Sequence, residues 1–288
     1  MPPGGETSRY SGRFGENVLR HGSHEWLPYS KDEVLLECSN TNLPLWAIPP
    51  CIRLPGRFTM KLRKNPAFFA GVMLVLGLAA LALRMALYRT CVDEKGLLIP
   101  GTSLELMVWA VTGAACIWAA CSGGEPRQRL LRLEALGELL AAVGIALALP
   151  EGLRLAVTML DKVGLGLSLA AAVGLAWGAA ARLQSKKPHV LCYGAACLFF
   201  ALNAVCRYRG WVSHPQFQDY LFPLLGALTM MVFAYLRCVP EKIRLRRLVG
   251  LIGGFLCLAA LAKTDFLPMY FGCGLWMLTN ADAPGEPV

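Results

Sequence analysis

From residue 66 to residue 279 the chain alternates long apolar runs with short polar breaks. Eight runs recur, at 66–88, 103–121, 133–150, 163–181, 190–206, 220–236, 248–262 and 266–279. None shows the two-residue alternation of a barrel strand. A spanning helix needs about 20 mostly apolar residues, with a range of about 17–25. The pattern predicts an all-α polytopic membrane helix bundle of about eight transmembrane helices arranged as hairpins. The last two runs are short. If they form one span plus an interfacial segment, the number is seven.

Residues 1–59 carry no such period. MPPGGETSRYSGRFGENVLRHGSHEWLPYSKDEV is polar and rich in Gly, Pro and Ser, which predicts a disordered tail. No apolar stretch follows a basic start there, so it does not read as a secretory signal. Met60, followed by Lys61, Arg63 and Lys64, looks like the start of a bacterial membrane protein. Two readings stand: a native chain beginning at Met60, or a genuine polar tail on the cytoplasmic side. The organisation is then 1–59 as tail, 60–280 as transmembrane helical domain and 281–288 as a short polar C-terminal tail.

Charge adds a direction. The polar segments 61–65, 122–132, 182–189 and 237–247 together hold fourteen Lys and Arg, and the intervening 89–102, 151–162, 207–219 and 263–265 hold seven. Basic residues are favoured on the cytoplasmic side, so this alternation predicts a multi-pass protein of the cell (inner, cytoplasmic) membrane with its N-terminus in the cytoplasm. The hairpins start near 66, 133, 190 and 248. That spacing fits either an old two-helix repeat or four hairpins of similar length.

Composition agrees. Only 16% of the 288 residues are charged and 56% are hydrophobic, against about 25% charged in a soluble domain. The net charge of +9 fits basic cytoplasmic loops, and no aromatic–basic interleaving suggests nucleic acid. The eleven cysteines contain no CxxC and no zinc spacing. Most lie in apolar runs, where Cys acts as a small hydrophobe. The histidines, His21, His24, His189 and His214, form no catalytic or ligand pattern, and no nucleophile, zinc-protease, phosphate or dinucleotide motif occurs. No catalytic residue, cofactor or metal is expected.

What remains is intramembrane polarity. Arg84 and Glu105 fall just inside the ends of runs one and two, as a gate, an anion or proton site, or an interfacial pair. Glu138 is deeper, about 9 Å inside Arg132 along a helix, with Glu134 one turn away on the same face. It needs a basic partner, water or a proton, and Arg182 and Arg237 are placed to reach it. Asn203 is a further candidate, for interhelical hydrogen bonding. Gly166, Ala170, Gly174 and Gly178, with Gly250 and Gly254, read as helix-packing positions facing another helix of the chain or a second protomer. Tyr88, Trp177, Tyr208, Trp211, Tyr220, Tyr235 and Trp276 read as interfacial belts.

MKLRKNPAFFAGVMLVLGL followed by YRTCVDEKGLLIPG resembles uncharacterised multi-spanning integral membrane proteins of Firmicutes-type bacteria over residues 60–101. The resemblance implies a start at Met60 and nothing about activity. The leading expectation is a non-catalytic scaffold, sensor or accessory component. The alternative is a small-molecule, lipid-like or ion transporter using Glu138 as a membrane-embedded carboxylate. Expected partners are the lipid bilayer and a second copy or another membrane protein, not nucleic acid; the sequence names no small-molecule ligand.

Overall fold

The structure, a computed structural model, describes residues 66–93, 98–122, 131–155, 158–212, 217–239 and 242–283. The tail 1–59, Met60, His214 and residues 284–288 lie outside them.

Among the described residues the chain is all-helical. The helices are α1 Pro66–Thr90, α2 Ser103–Cys121, α3 Leu131–Leu155, α4 Met159–Leu183, α5 Val190–Val212, α6 Phe217–Cys238, α7 Ile243–Ala260 and α8 Leu267–Asn280, with a 3-10 turn, Leu261–Lys263, after α7. Six of them, α1 to α4, α6 and α7, are long and apolar enough to cross a membrane. The apolar part of α5 is the shorter Val190–Cys206, and α8 has only 14 residues. The short run at 248–262 is therefore part of a full-length helix, because α7 begins in the basic stretch at Ile243. Two arginines of that stretch are buried against the chain after α8: Arg247 Nε pairs with Asp282 at 2.7 Å, and Arg246 Nη2 donates to the Ala283 carbonyl.

Helix starts follow capping chemistry. The Thr158 hydroxyl accepts from the Asp161 amide while the Asp161 carboxylate accepts from the Thr158 amide, a reciprocal box that opens α4. Thr102 caps α2, its hydroxyl accepting from Glu105 N at 3.3 Å, while Glu105 Oε2 accepts from the amide of the preceding residue, Gly101 N, at 2.8 Å. Gly101 has φ +77°, a conformation glycine adopts freely, and a bridge between Val92 and Leu98 draws the α1–α2 turn together.

The helices run up and down. One end of the bundle carries the starts of α1, α3, α5 and α7 and is rich in arginine; it is called the basic end here, and the opposite one the turn end. In contact, α3 packs on α4, α4 on α5, α5 on α6, α6 on α7, α7 on α8 and α8 back on α3, so three hairpins close a ring. The first hairpin stands outside it, with α1 on α7 and α2 mainly on α1. Burial grades accordingly, from 67% of the span containing α7 to 17% of α2. Around the outside, Val75, Leu106, Ile117, Leu147, Trp177 and Leu191 are exposed, as lipid-facing positions should be.

Backbone approach is closest between α3 and α8. A Cβ on Gly272 would overlap the Leu140 carbonyl, and one on Gly144 would overlap that of Pro268. In the α4 stripe, Gly174 meets the Cys192 backbone at 3.0–3.5 Å and Gly178 meets Glu138, but Gly166 has nothing within 4 Å and Ala170 is exposed. A four-residue repeat drifts about 40° per step on a helix of 3.6 residues per turn. The stripe therefore leaves the α5 contact toward its N-terminal half. Gly250 and Gly254 do pack, against α6 and α8. Gly272→Ala is expected to cost about 1–3 kcal/mol by overpacking, and Gly166→Ala to stay within about 0.5 kcal/mol. Unfolding curves of both variants in detergent check this; equal stabilities would refute the packing order.

Candidate functional site

Two features share the interior of the ring, one at each end. At the basic end lies a cluster of buried charge. α3 presents Glu134 and Glu138 on one face, one turn apart, and α4 ends on Arg182. Arg182 Nε donates to Glu138 Oε1 at 2.9 Å, Nη1 to Glu134 Oε2 at 2.5 Å and Nη2 to the Tyr193 hydroxyl at 3.0 Å. All three guanidinium nitrogens are thus used, on two helices besides its own. The Tyr193 hydroxyl, from the first turn of α5, donates to Glu138 Oε1 at 2.6 Å. Arg237, at the end of α6, is held more loosely. Its Nη2 lies 3.4 Å from Glu138 Oε1 and 3.3 Å from the Tyr193 oxygen, its guanidinium sits 5.1 Å from the Tyr193 ring centre, and its Nε is buried without a hydrogen bond.

Glu138 is fully buried, at 0% exposure, and Glu134 and Arg182 are nearly so. Two carboxylates face two guanidiniums, so the cluster balances in charge. Low-dielectric surroundings make such pairing obligatory. α8 joins through Asn280, whose Nδ2 donates to the Glu134 carbonyl at 3.0 Å. The cluster therefore ties α3, α4, α5, α6 and α8 together at one end.

At the turn end the ring holds a cavity of about 330 Å³. It lies at the N-terminal end of α8, whose 14 residues rise only about 21 Å, against about 37 Å for a 25-residue neighbour such as α3 or α4. Phe266 and Met269 at that N-terminus form the floor side, with Ile145 from α3, Ser168 from α4, and Phe199 and Asn203 from α5. Asp161, Tyr220 and Asp265 also line it.

Between cavity and cluster stands an aromatic block. Trp276 stacks on Phe200 at 6.4 Å and meets Phe233 edge-on at 5.0 Å, and Leu175 and Ile145 are buried beside them in the same core. On α4, Arg182, Leu175 and Ser168 are spaced by sevens on one face. Cluster, block and cavity therefore succeed one another over about 21 Å.

The sequence candidates separate on this map. Glu138 has both arginines that its sequence position called for. It does not line the cavity at the turn end. Asn203 does line the cavity, and its Oδ1 is buried with no hydrogen-bond partner. Arg84 faces α7: Nη1 donates to the Ala259 carbonyl at 2.6 Å and Nη2 to the Tyr88 hydroxyl at 3.0 Å, and the guanidinium lies 4.3 Å from the Phe222 ring centre. Glu105 serves the start of α2. These bonds clamp α1 to α7 and cap α2. Trp276 is fully buried, in the block and not in an interfacial belt, because α8 is central. Trp177, Tyr208 and Tyr235 are exposed as belt positions should be; the side chain of Trp211 lies outside the described residues. Tyr193, Asn280 and the cavity were missed. A lone Tyr near a helix start reads as interfacial, and the cavity lies at a helix end that only the structure fixes.

Comparison of the chain with known protein families, with curated proteins and with solved structures returned no match in any of the three.

Breaking the cluster has a definite signature. Arg182→Ala leaves two buried carboxylates under-compensated and is expected to cost about 3–5 kcal/mol. Glu138→Leu together with Arg182→Leu is expected to cost less than the sum of the two single changes. A double-mutant cycle by thermal unfolding measures this; additive costs would mean that the two side chains do not share a buried bond.

Proposed function

We propose that this protein is a small-molecule carrier of the cell membrane, captured with its binding cavity open at the turn end and closed at the basic end. The observation that carries the reading is the arrangement along one axis: a cavity, an aromatic block and a closed ion-pair cluster, all built from the same helices. Alternating access requires a central site with one barrier open and the other shut. The basic end, by the bias of Lys and Arg, faces the cytoplasm. The cavity then opens to the outside, and Glu138, Arg182, Arg237 and Tyr193 form the inner gate. Glu138 acts here as a gate residue and not as the site of a carried ion. A scaffold alone gives no reason for a cavity of this size between α3, α4 and α5, which forgoes packing contacts.

A gate of this kind is reversible. Its opening exposes ionic groups to water, which rehydrates them and offsets part of the lost pairing. The test is cysteine accessibility in a chain whose eleven native cysteines are replaced by Ser or Ala. Asn203→Cys, in the cavity, is expected to react with a membrane-impermeant maleimide added outside. Ala196→Cys, fully buried between Tyr193 and Phe200, is expected to be inert. Adding Glu138→Gln weakens the inner gate, so reaction at 196 from the cytoplasmic side rises and reaction at 203 falls. Unchanged reactivity at both positions would end the carrier reading.

A further inference from the structure

We infer that the cavity binds a small organic cation, an amine with an apolar body. The inference deepens the carrier reading, on which it rests for the purpose of the cavity. Its basis is the chemistry of the wall. At about 330 Å³ the cavity lies at the low end of the roughly 300–1,000 Å³ usual for ligand pockets, which suits a small molecule. Ile145, Phe199, Leu202 and Met269 supply an apolar floor.

The polar part of the wall has one sign. Asp161 and Asp265 line the cavity, and no Lys, Arg or His is among the described residues that do so. Asp161 is fixed in place by the start of α4, its Oδ2 accepting from Thr158 N at 2.8 Å and Thr158 Oγ1 at 2.7 Å. Among the described residues, two nearby cations are directed elsewhere. Lys263 Nζ lies over the Tyr88 ring at 5.4 Å, toward α1, and Arg154 pairs with Glu151 at 3.6 Å. Lys162 is exposed.

Asn203 adds an acceptor that a donor on the ligand would satisfy. Its Oδ1 is buried with no hydrogen-bond partner, and a polar atom left so in apolar surroundings is costly. An ammonium group carries three donors and no acceptor. Its charge matches the sign of the two carboxylates in the wall, and its donors match the carboxamide oxygen of Asn203. The faces of Phe199, Tyr220 and Phe266, all in the wall, suit a cation by their negative quadrupole. A carboxylate ligand would meet two like charges, and a neutral apolar one would leave Asn203 unpaired.

The test is equilibrium binding to the purified full-length protein in detergent, where no transport is needed. Phenethylamine is compared with phenethyl alcohol and phenylacetate. The amine is expected to bind at least about tenfold tighter than the alcohol, the factor that one charge-assisted hydrogen bond supplies, and phenylacetate not measurably. Asp265→Asn, at an exposed position, and Asn203→Leu are each expected to weaken amine binding severalfold and alcohol binding less, because only the amine adds a charge to the hydrogen bond. Equal binding of the alcohol, preference for phenylacetate, or binding of none of the three overturns the assignment. A carrier of a neutral or anionic molecule would still show the accessibility change of the gate variants, so failure here removes the cation and leaves the carrier. Amine binding without that change would leave a binding protein that does not carry.

Discussion

Four charges buried at one end of an apolar bundle set the terms for everything around them. Glu134, Glu138, Arg182 and Arg237 cannot be left unpaired in a low dielectric, and Arg182 meets the requirement with bonds to α3 and α5. That fixes the end of α4 against the starts of α3 and α5 to within hydrogen-bond tolerance. The fixation reaches into residue choice. A Cβ at position 178 would stand 3.3 Å from Glu138 Oε2, so glycine there makes room for the carboxylate. It also reaches α8, which Asn280 ties to the backbone of α3. α8 is thus anchored at its C-terminal end, and the cavity lies at its N-terminal end.

The turn end is held by a different kind of bond. Arg84 clamps α1 to α7 through the Ala259 carbonyl and the rings of Tyr88 and Phe222. Phe222 belongs to α6, so this arginine links the outer hairpin to the ring beside the cavity without closing it. The two ends are thus asymmetric: one is tied by charges converging on the ring interior, the other by cations where α1 meets the ring from outside, Arg84 with Lys263 over the Tyr88 side chain.

Much of the architecture was legible because lipid imposes it. Runs of apolar residues must become helices where no water satisfies the backbone, and the starts and stops of the runs match the helices to within a turn in most cases. Glu138 was legible for the same reason, as was the direction from which its partners come. The start of α7 was not, because Arg246 and Arg247 look like loop until Asp282 and Ala283 cover them. Trp276 was misplaced because a periodicity cannot tell a central helix from a peripheral one. The α4 stripe was half right: its residues are small, but their drift around the helix separates Gly174 and Gly178, which pack, from Gly166 and Ala170, which do not.

The choice of ions for the closed end carries its own argument. A buried salt bridge often contributes no more stability than well-packed apolar groups of the same volume, because desolvation cancels most of the attraction. Apolar packing at that end would therefore serve a static bundle as well, and would do so without the orphaned Nε of Arg237. What ions add is sensitivity to water. When water enters, the Coulomb gain and the desolvation cost fall together, so a closed dry cluster and an open wet one differ by less than either large quantity. Apolar packing has no such compensation, since wetting it is unfavourable throughout. On the carrier proposal, a bundle that opens at its basic end and closes again is better served by the cluster, and Arg237, the member with the longest bonds, would be the first to let go.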